Sequence, residues 1–191
     1  MFAEGSRISL GDALIAIRIG VSHAEPLRRL AHDTYYETFA SLNTPENMQA
    51  YLESAFNPAR VAAELADPRS LFFWVEQGGE TVGYIKLVDG LDDDDDTIPD
   101  VVRDRPSMLL ERFYVVSRRQ GKGVAKAMMQ FCFEVARQLG KHVLWLGVWE
   151  ANPRAMAFYR KWGFTAIGTH VFTMGDDAQT DYWMVRELEP L

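Results

Sequence analysis

The stretch from Leu109 to Ala125 constrains the fold of this chain more than any other part of it. An apolar, β-prone run ends in a short basic loop, Gln120-Gly121-Lys122-Gly123, and an amphipathic helix pattern begins at once. A strand that turns directly into a helix aims unpaired backbone N–H groups at whatever lies above the strand, which suits a diphosphate. The two glycines keep side chains away from such an anion, and Lys122 adds positive charge. The alternative is a tight strand-to-helix turn with no ligand.

Patterns along the rest of the chain predict alternating strands and helices. Helices are expected to begin at Thr44-Pro45, Asn57-Pro58 and Asn152-Pro153, because an N-cap residue followed by proline is typical of a helix start. Gly78-Gly79 between two β-rich runs predicts a hairpin. The predicted strands are 14–19, 71–77, 81–88, 108–116, 142–148, 164–172 and 180–188, and a first helix is predicted over 22–40. This order indicates a mixed α/β sheet in a single domain, 1–191.

Composition narrows the classes of function. With 191 residues, 48% of them hydrophobic, the chain can bury one substantial core, and its net charge of −7 argues against a general nucleic-acid binder. No apolar run reaches the roughly 18 residues needed to span a membrane, and the start of the chain does not read as a signal peptide. The single Cys132 is expected to be a buried, small apolar residue, and a cytoplasmic location is expected. The histidines are scattered, so no metal site is predicted.

Two motifs carry a resemblance to a known family. Gln120-Gly121-Lys122-Gly123-Val124-Ala125 resembles the acetyl-CoA signature of the GCN5-related N-acetyltransferases, and the segment from Asn152 to Phe164 is similar to that family's Asn-x-x-Ala-x-x-Phe-Tyr-x-x-x-Gly-Phe pattern. The resemblance covers nearly the whole chain. It implies a mostly antiparallel central sheet with one splayed pair of parallel strands, flanked by helices. Stretches 44–56, 145–150 and 174–181 are similar to the bacterial PaiA-type spermidine/spermine N-acetyltransferases.

The same resemblance implies where acetyl-CoA, the co-substrate, would bind. Its thioester and pantetheine end would lie along the backbone of Phe113, Tyr114 and Val115 in the gap between the splayed strands. Its diphosphate would be held by the amides of Gln120, Gly121, Lys122, Gly123, Val124, Ala125 and Lys126. Asn152 would contact it as well, or serve only as a helix cap.

Tyr159 occupies the family's position for stabilising the departing thiolate, and it would also contact the cofactor. A phenol with a pKa of about 10 is not a stronger acid than a thiol with a pKa of about 8.5. The expected contribution is therefore partly a hydrogen bond to sulfur, completed by proton transfer only if the site lowers the pKa of Tyr159. The alternative is packing beside Phe158.

The amine side needs a base and counter-charges. A primary ammonium, with a pKa of about 10.4, must lose a proton before its nitrogen attacks a thioester. Alternation places Glu111 in phase with Phe113 and Val115, which makes it the predicted base; an ion pair with Arg112 or Arg103 is the equal alternative, and Glu150 is a second candidate. The predicted substrate-binding residues are Glu150, Trp149, Asp176 and Asp181, with Glu53, Tyr51 and Trp145 as further candidates.

The sequence therefore predicts acetyl transfer from acetyl-CoA to a primary amine, by direct attack in a ternary complex, with a polyamine as the leading acceptor. A protein lysine or N-terminus, an amino acid or an amine toxin are alternative acceptors. A non-catalytic acyl-CoA-binding regulatory module is the alternative from another class. The aspartate run 92–96 is read as a solvated loop, or as a segment that steers polycations. A homodimer paired through the apolar terminal strands is left open.

Overall fold

The computed structural model describes residues 2–91 and 96–189. Its strands are β1 (Arg7–Gly11), β2 (Leu14–Ile19), β3 (Ser70–Gln77), β4 (Glu80–Asp89), β5 (Ser107–Val115), β6 (Val143–Trp149), β7 (Thr165–Met174) and β8 (Asp177–Glu187). Its α-helices are α1 (Ala24–Phe39), α2 (Pro45–Ala55), α3 (Pro58–Ala66), α4 (Asp100–Arg103), α5 (Val124–Gln138) and α6 (Pro153–Lys161). Short 3₁₀ turns cover Val21–His23, Ala40–Leu42 and Ser117–Arg119.

The predicted helix starts are confirmed together with their physical reason. The side chains of Thr44, Asn57 and Asn152 each accept a hydrogen bond from the backbone N–H three residues ahead, and proline occupies the first helical turn in each case. The hairpin at Gly78-Gly79 is also present, with φ angles of 62° and 84° that glycine adopts without strain. Local capping and turn chemistry therefore set these boundaries.

Two elements were not predicted. β1 pairs with β2 through a turn at Asp12 and Ala13, which have φ angles of 48° and 59° and offer no glycine signal at those positions. The short helix α4 lies between the predicted strands 81–88 and 108–116, where no helix or strand was predicted. The aspartate run, apart from Asp96, falls outside the described residues.

The strands form one mixed sheet in the order β1-β2-β3-β4-β5-β6-β8-β7. Within the described residues only β5 and β6 are parallel neighbours, and they pair over three positions, Ser107–Leu109 against Val143–Trp145. Beyond those positions β5 continues to Val115 and β6 to Trp149, but the two strands no longer pair with each other. A gap therefore opens between them. The predicted fold class, with one splayed parallel pair, is confirmed.

Helices cover both faces of this sheet. α5 and α6 pack on one face around an apolar cluster that includes Met128, Phe131 and the fully buried Cys132. α1, α2 and α3 pack on the other face around Leu27, Leu52 and neighbouring apolar residues. β7 is an edge strand of the sheet, and the homodimer stays a prediction. None of the helices in the described part of the chain combines the length and hydropathy needed to cross a bilayer.

Candidate functional site

A cleft of about 480 Å³ opens where β5 and β6 part. One side of it, named here the loop half, comes from β5, the glycine loop and α6: Phe113, Val115, Gln120, Ala125, Asn152, Arg154, Ala155, Phe158 and Tyr159. The other side, named the aromatic half, comes mainly from α1, α2, β7 and β8: Tyr35, Thr38, Phe39, Tyr51, Phe56, Arg60, Glu111, Arg112, Trp149, Phe172, Gln179 and Asp181. The cleft therefore connects the two faces of the sheet through the gap between the splayed strands.

The glycine loop presents backbone donors at the start of α5. Gly121 and Gly123 have φ angles of 74° and 85°, and a Cβ built at either would meet nothing within 4 Å, so the backbone conformation and not packing requires glycine. The hydrogen bonds of α5 begin with the Ala127 N–H, which donates to the Gly123 carbonyl. By helix geometry, the N–H groups of Val124, Ala125 and Lys126 have no intrahelical acceptor. This arrangement suits an anion.

The predicted cofactor residues divide between the cleft wall and its surroundings. The cleft is lined by Phe113, Tyr114, Val115, Gln120, Ala125, Asn152 and Tyr159. Gly121, Lys122, Gly123 and Lys126 are exposed to solvent, and Val124 is buried in the core. The Gln120 side chain donates to the Val115 carbonyl at 3.0 Å and ties the loop to the end of β5.

Asn152 caps α6 and also lines the cleft. Its Oδ1 accepts from the Ala155 N–H at 3.0 Å, so the capping role is present. The Nδ2 group of the same side chain is a separate donor, which allows capping and ligand contact through different atoms.

Tyr159 lies half-buried in α6 between two aromatic rings. Its ring centroid is 5.6 Å from that of Phe158 and 5.7 Å from that of Phe164. Burial raises the pKa of the Tyr159 phenol above its usual value. The phenol is therefore protonated at neutral pH and can donate a hydrogen bond, but the lowered pKa that proton transfer to sulfur requires is not found in this structure.

A bulge in β5 decides where Glu111 points. Lys86 of β4 pairs with Arg112 and Leu87 pairs with Leu110, so Glu111 is the extra residue. An extra residue breaks the alternation of side chains, and both Glu111 and Arg112 turn towards Lys86 on the face that carries α1–α3. The expectation that Glu111 shares the face of Phe113 and Val115 is therefore wrong.

Glu111 belongs to a charge network that the sequence interpretation missed. Lys86 Nζ lies 2.7 Å from Glu111 Oε1 and 3.3 Å from Glu64 Oε2, and its side chain is only 5% exposed. Arg112 Nη1 lies 2.8 Å from Glu64 Oε2, and Arg112 Nη2 lies 3.7 Å from Glu111 Oε1. Burial would raise the pKa of Glu64, but Arg112 and Lys86 outweigh it and hold that pKa below its usual value. The available signal was a lysine within the apolar run of β4.

Aromatic rings form most of the wall of the aromatic half. Tyr35 stacks on Tyr51 with centroids 4.5 Å apart, Tyr51 lies 5.6 Å from Phe172, and Phe39 lies 6.0 Å from Trp149. Such rings offer apolar surface and negative π faces to a cation.

Asp181 is a carboxylate set into this wall. It lies opposite Trp149 in the β6–β8 register, and its Oδ1 atom is buried without a hydrogen-bond partner among the described residues. Its Oδ2 atom lies 3.9 Å from Nε2 of His170, whose ring stacks on Trp183 at 3.7 Å. Burial and, second, the nearby Glu150 raise the pKa of Asp181 to about 6.

The structure separates the other predicted substrate-binding residues. Trp149 lines the cleft, and Glu150 follows it as an exposed residue outside the lining set. Asp176 does not belong to the cleft, because it lies in the turn between β7 and β8, where Asn47 Nδ2 donates to it at 2.8 Å. That hairpin packs against α2 and carries Asp176 away from the gap.

The further candidates for substrate binding also lie in different places. Tyr51 lines the cleft, whereas Trp145 is buried in the core against Trp183. Glu53 accepts from Gln49 on the surface of α2. No group of three or more potential metal-ligating side chains occurs within residues 2–91 and 96–189.

Comparison with known proteins agrees with this geometry. The chain is 38% identical over 159 residues to an uncharacterized N-acetyltransferase encoded in the pepI 3′ region of Lactobacillus delbrueckii subsp. lactis, covering 83% of this chain and 88% of the relative. It is 32% identical over 168 residues to the uncharacterized N-acetyltransferase Rv2669 of Mycobacterium tuberculosis, covering 88% and 99%.

Solved structures share the fold. PaiA N-acetyltransferase from Thermoplasma acidophilum, in complex with coenzyme A, aligns with a TM-score of 0.69 at 17% identity over 91% of this chain and 98% of its own. The spermidine/spermine N-acetyltransferase SpeG from Vibrio cholerae aligns with a TM-score of 0.63 at 17% identity over 93% and 95%. Residues 25–164 match the Acetyltransferase (GNAT) family. On the family match and these relatives, the chain belongs to this family of acetyl-CoA-dependent N-acetyltransferases.

Proposed function

We propose that this protein transfers an acetyl group to a small primary amine by direct attack in a ternary complex. The supporting observation is that one cleft joins the anion-binding loop half to the aromatic half through the gap between β5 and β6. Acetyl-CoA, when bound, supplies the activated acetyl group. The residues of the chain hold the two substrates together and handle the protons.

In this proposal the loop half holds the cofactor through backbone groups. The N–H groups at the start of α5, with Lys122 and Lys126 nearby, bind the diphosphate. Because β5 pairs with β6 only as far as Leu109, the backbone of Phe113, Tyr114 and Val115 has hydrogen-bonding groups available to the pantetheine arm on the side away from β4. Asn152 adds a side-chain contact from the start of α6.

Tyr159 is the proposed donor to the leaving sulfur. A phenol whose pKa is raised by burial stays protonated, so it stabilises negative charge on sulfur by a hydrogen bond. Transfer of its proton to the sulfur is the less favourable route, because the thiol is the stronger acid.

A polyamine is the proposed acceptor. The name of the spermidine/spermine N-acetyltransferase SpeG points in this direction, and Trp149, Asp181 and the adjacent Glu150 would supply a π face and negative charge. The two arginines of the aromatic half, Arg60 and Arg112, favour an orientation in which the other ammonium groups extend away from them. A cytoplasmic location and a homodimer stay predictions.

The identity of the base is a separate matter. Glu111 is the base predicted from the sequence, and it lines the cleft, but Lys86 and Arg112 already neutralise its carboxylate.

The test is release of coenzyme A thiol on mixing acetyl-CoA with separate amines: spermidine, spermine, a lysine peptide and an aminoglycoside. We expect the highest kcat/KM with a polyamine, because only that class carries several ammonium groups on a flexible apolar chain. If the peptide or the aminoglycoside released thiol faster than both polyamines at equal concentration, that amine class would take the place of the polyamines as the proposed acceptor. Absence of thiol release with every amine would instead favour the non-catalytic acyl-CoA-binding module.

A further inference from the structure

We infer that Asp181, and not Glu111, binds the reacting ammonium and accepts its proton. This inference rests on the proposed acetyl transfer to a primary amine and identifies the residue that makes the amine nucleophilic. It assigns a catalytic function to a strand on the far side of the gap from the glycine loop.

Asp181 lines the cleft, and one of its carboxylate oxygens lies unused beneath the cleft surface. Its side chain is 17% exposed, and Oδ1 is buried with no hydrogen-bond partner among the residues that the structure describes. A buried carboxylate oxygen without a donor is costly in the absence of a ligand, since it has lost water and gained nothing. An ammonium group at the exposed part of this side chain would supply the opposite charge that the carboxylate lacks.

Glu111 differs from Asp181 in the charges that surround it. Both carboxylates line the same cleft, but Glu111 Oε1 lies 2.7 Å from the Lys86 ammonium and 3.7 Å from the Arg112 guanidinium. An ammonium substrate that approached Glu111 would meet two fixed positive charges. At Asp181 no lysine or arginine lies within ion-pair distance in the described part of the chain.

Ionisable side chains face Asp181 from the elements packed around it. Tyr35 faces it from α1, His170 from β7 and Glu150 from the turn after β6. Gly147 of β6 makes room for the His170–Trp183 stack, because a Cβ there would lie 3.0 Å from Trp183 and 3.3 Å from His170. Trp149 lies directly opposite in the strand register, so a cation at Asp181 would also meet an aromatic wall.

These surroundings suit a general base. Burial and the negative charge of Glu150 raise the pKa of Asp181 to about 6, which brings the carboxylate closer to the pKa of the group it must deprotonate. The group is still ionised at neutral pH, so it can bind the ammonium as an anion. Below pH 6 it is protonated and loses both functions.

Protons and electrons balance in the proposed acetyl transfer. An N–H bond of the ammonium breaks and its proton passes to Asp181, which returns it to water. The freed nitrogen lone pair forms the N–C bond to the acetyl carbon, and the C–S bond breaks with its electron pair on sulfur. The second nitrogen proton ends on that sulfur, hydrogen-bonded by Tyr159, so the products are the N-acetyl amine, the thiol and one released proton.

The test compares Asp181→Asn with Glu111→Gln in pH profiles of kcat/KM for spermidine. The wild-type profile should fall below an apparent pKa of about 6, because protonated Asp181 neither binds ammonium nor accepts a proton. Asp181→Asn should lower kcat/KM at pH 7.5 by roughly 10²- to 10⁴-fold. Its activity should then rise with pH towards the pKa of the free amine, about 10.4, since only neutral amine would react.

Glu111→Gln should keep the acid limb of the wild type. Asp33→Asn, an exposed carboxylate of α1, is the matched control, and all variants should bind coenzyme A with wild-type affinity by calorimetry, which verifies folding. If Asp181→Asn loses that affinity, Asp181→Ser takes its place in the same measurements.

The outcomes separate this inference from the proposed function. Acetylation by the wild type with an unchanged rate and acid limb in Asp181→Asn would overturn the assignment of Asp181 alone. Loss of the acid limb in Glu111→Gln, with Asp181→Asn unaffected, would return the base to Glu111. A wild type that acetylates no amine would remove the proposed function and this assignment with it.

Discussion

The loop half of the cleft comes from neighbouring segments of the chain, whereas the aromatic half combines residues from opposite ends of it. β5, the glycine loop and the start of α5 are consecutive, and α6 follows after one strand. Tyr35 of α1 and Asp181 of β8, by contrast, meet only because the sheet order brings their elements together. Backbone donors dominate the first half and side chains the second, so the two halves should respond differently to substitution.

Within the loop half, the largest effect on turnover is expected at Tyr159. Tyr159→Phe removes the hydroxyl and keeps the ring, so kcat should fall roughly 10- to 10⁴-fold with little change in coenzyme A affinity. Steady-state kinetics and calorimetry measure the two quantities. Unchanged turnover would show that the phenol only packs beside Phe158, as in the alternative interpretation.

In the aromatic half we expect the larger effect on the free energy of unfolding. It should come from loss of the Lys86 ammonium, which pairs with Glu64 and Glu111. Lys86→Met keeps the length of the side chain but leaves the mostly buried Glu64 and the more exposed Glu111 with only arginine partners. We expect the free energy of unfolding to fall by about 3–5 kcal/mol, measured by denaturant titration. Lys161→Met, on the exposed surface of α6, should change it by less than about 0.5 kcal/mol. Equal stability of both variants would mean that the network contributes nothing to the fold.

The smallest effect is expected for the glycine loop itself. At Gly123, with φ of 85°, alanine is strained by roughly 1–2 kcal/mol, and relief of that strain displaces the N–H groups ahead of α5. Coenzyme A should therefore bind roughly 5- to 30-fold more weakly in Gly123→Ala, measured by calorimetry. Gly140→Ala introduces the same strain at φ of 69° after the far end of α5 and should leave the affinity unchanged. An equal loss of affinity in both variants would indicate a general loss of structure.

Where local chemistry decided the outcome, the sequence was a sufficient guide. The caps at Thr44, Asn57 and Asn152 and the hairpin at Gly78-Gly79 all form as expected, because each depends on atoms a few residues apart. Glu111 was placed on the wrong face because one extra residue in β5 reverses the alternation, and a bulge leaves no mark in the hydrophobic pattern. Asp176 was placed in the cleft because the reach of the β7–β8 hairpin depends on its packing against α2.

The sequence by itself determined the mixed sheet, the strand–glycine loop–helix unit and the family, since these depend on periodicity, turn residues and short motifs. Only the tertiary structure decided that Lys86 and Arg112 neutralise Glu111, while Oδ1 of Asp181 finds no donor among the residues described. The physical reason is that the charge state and availability of a carboxylate depend on which groups surround it and exclude water. Those groups come from strands and helices far apart in the chain.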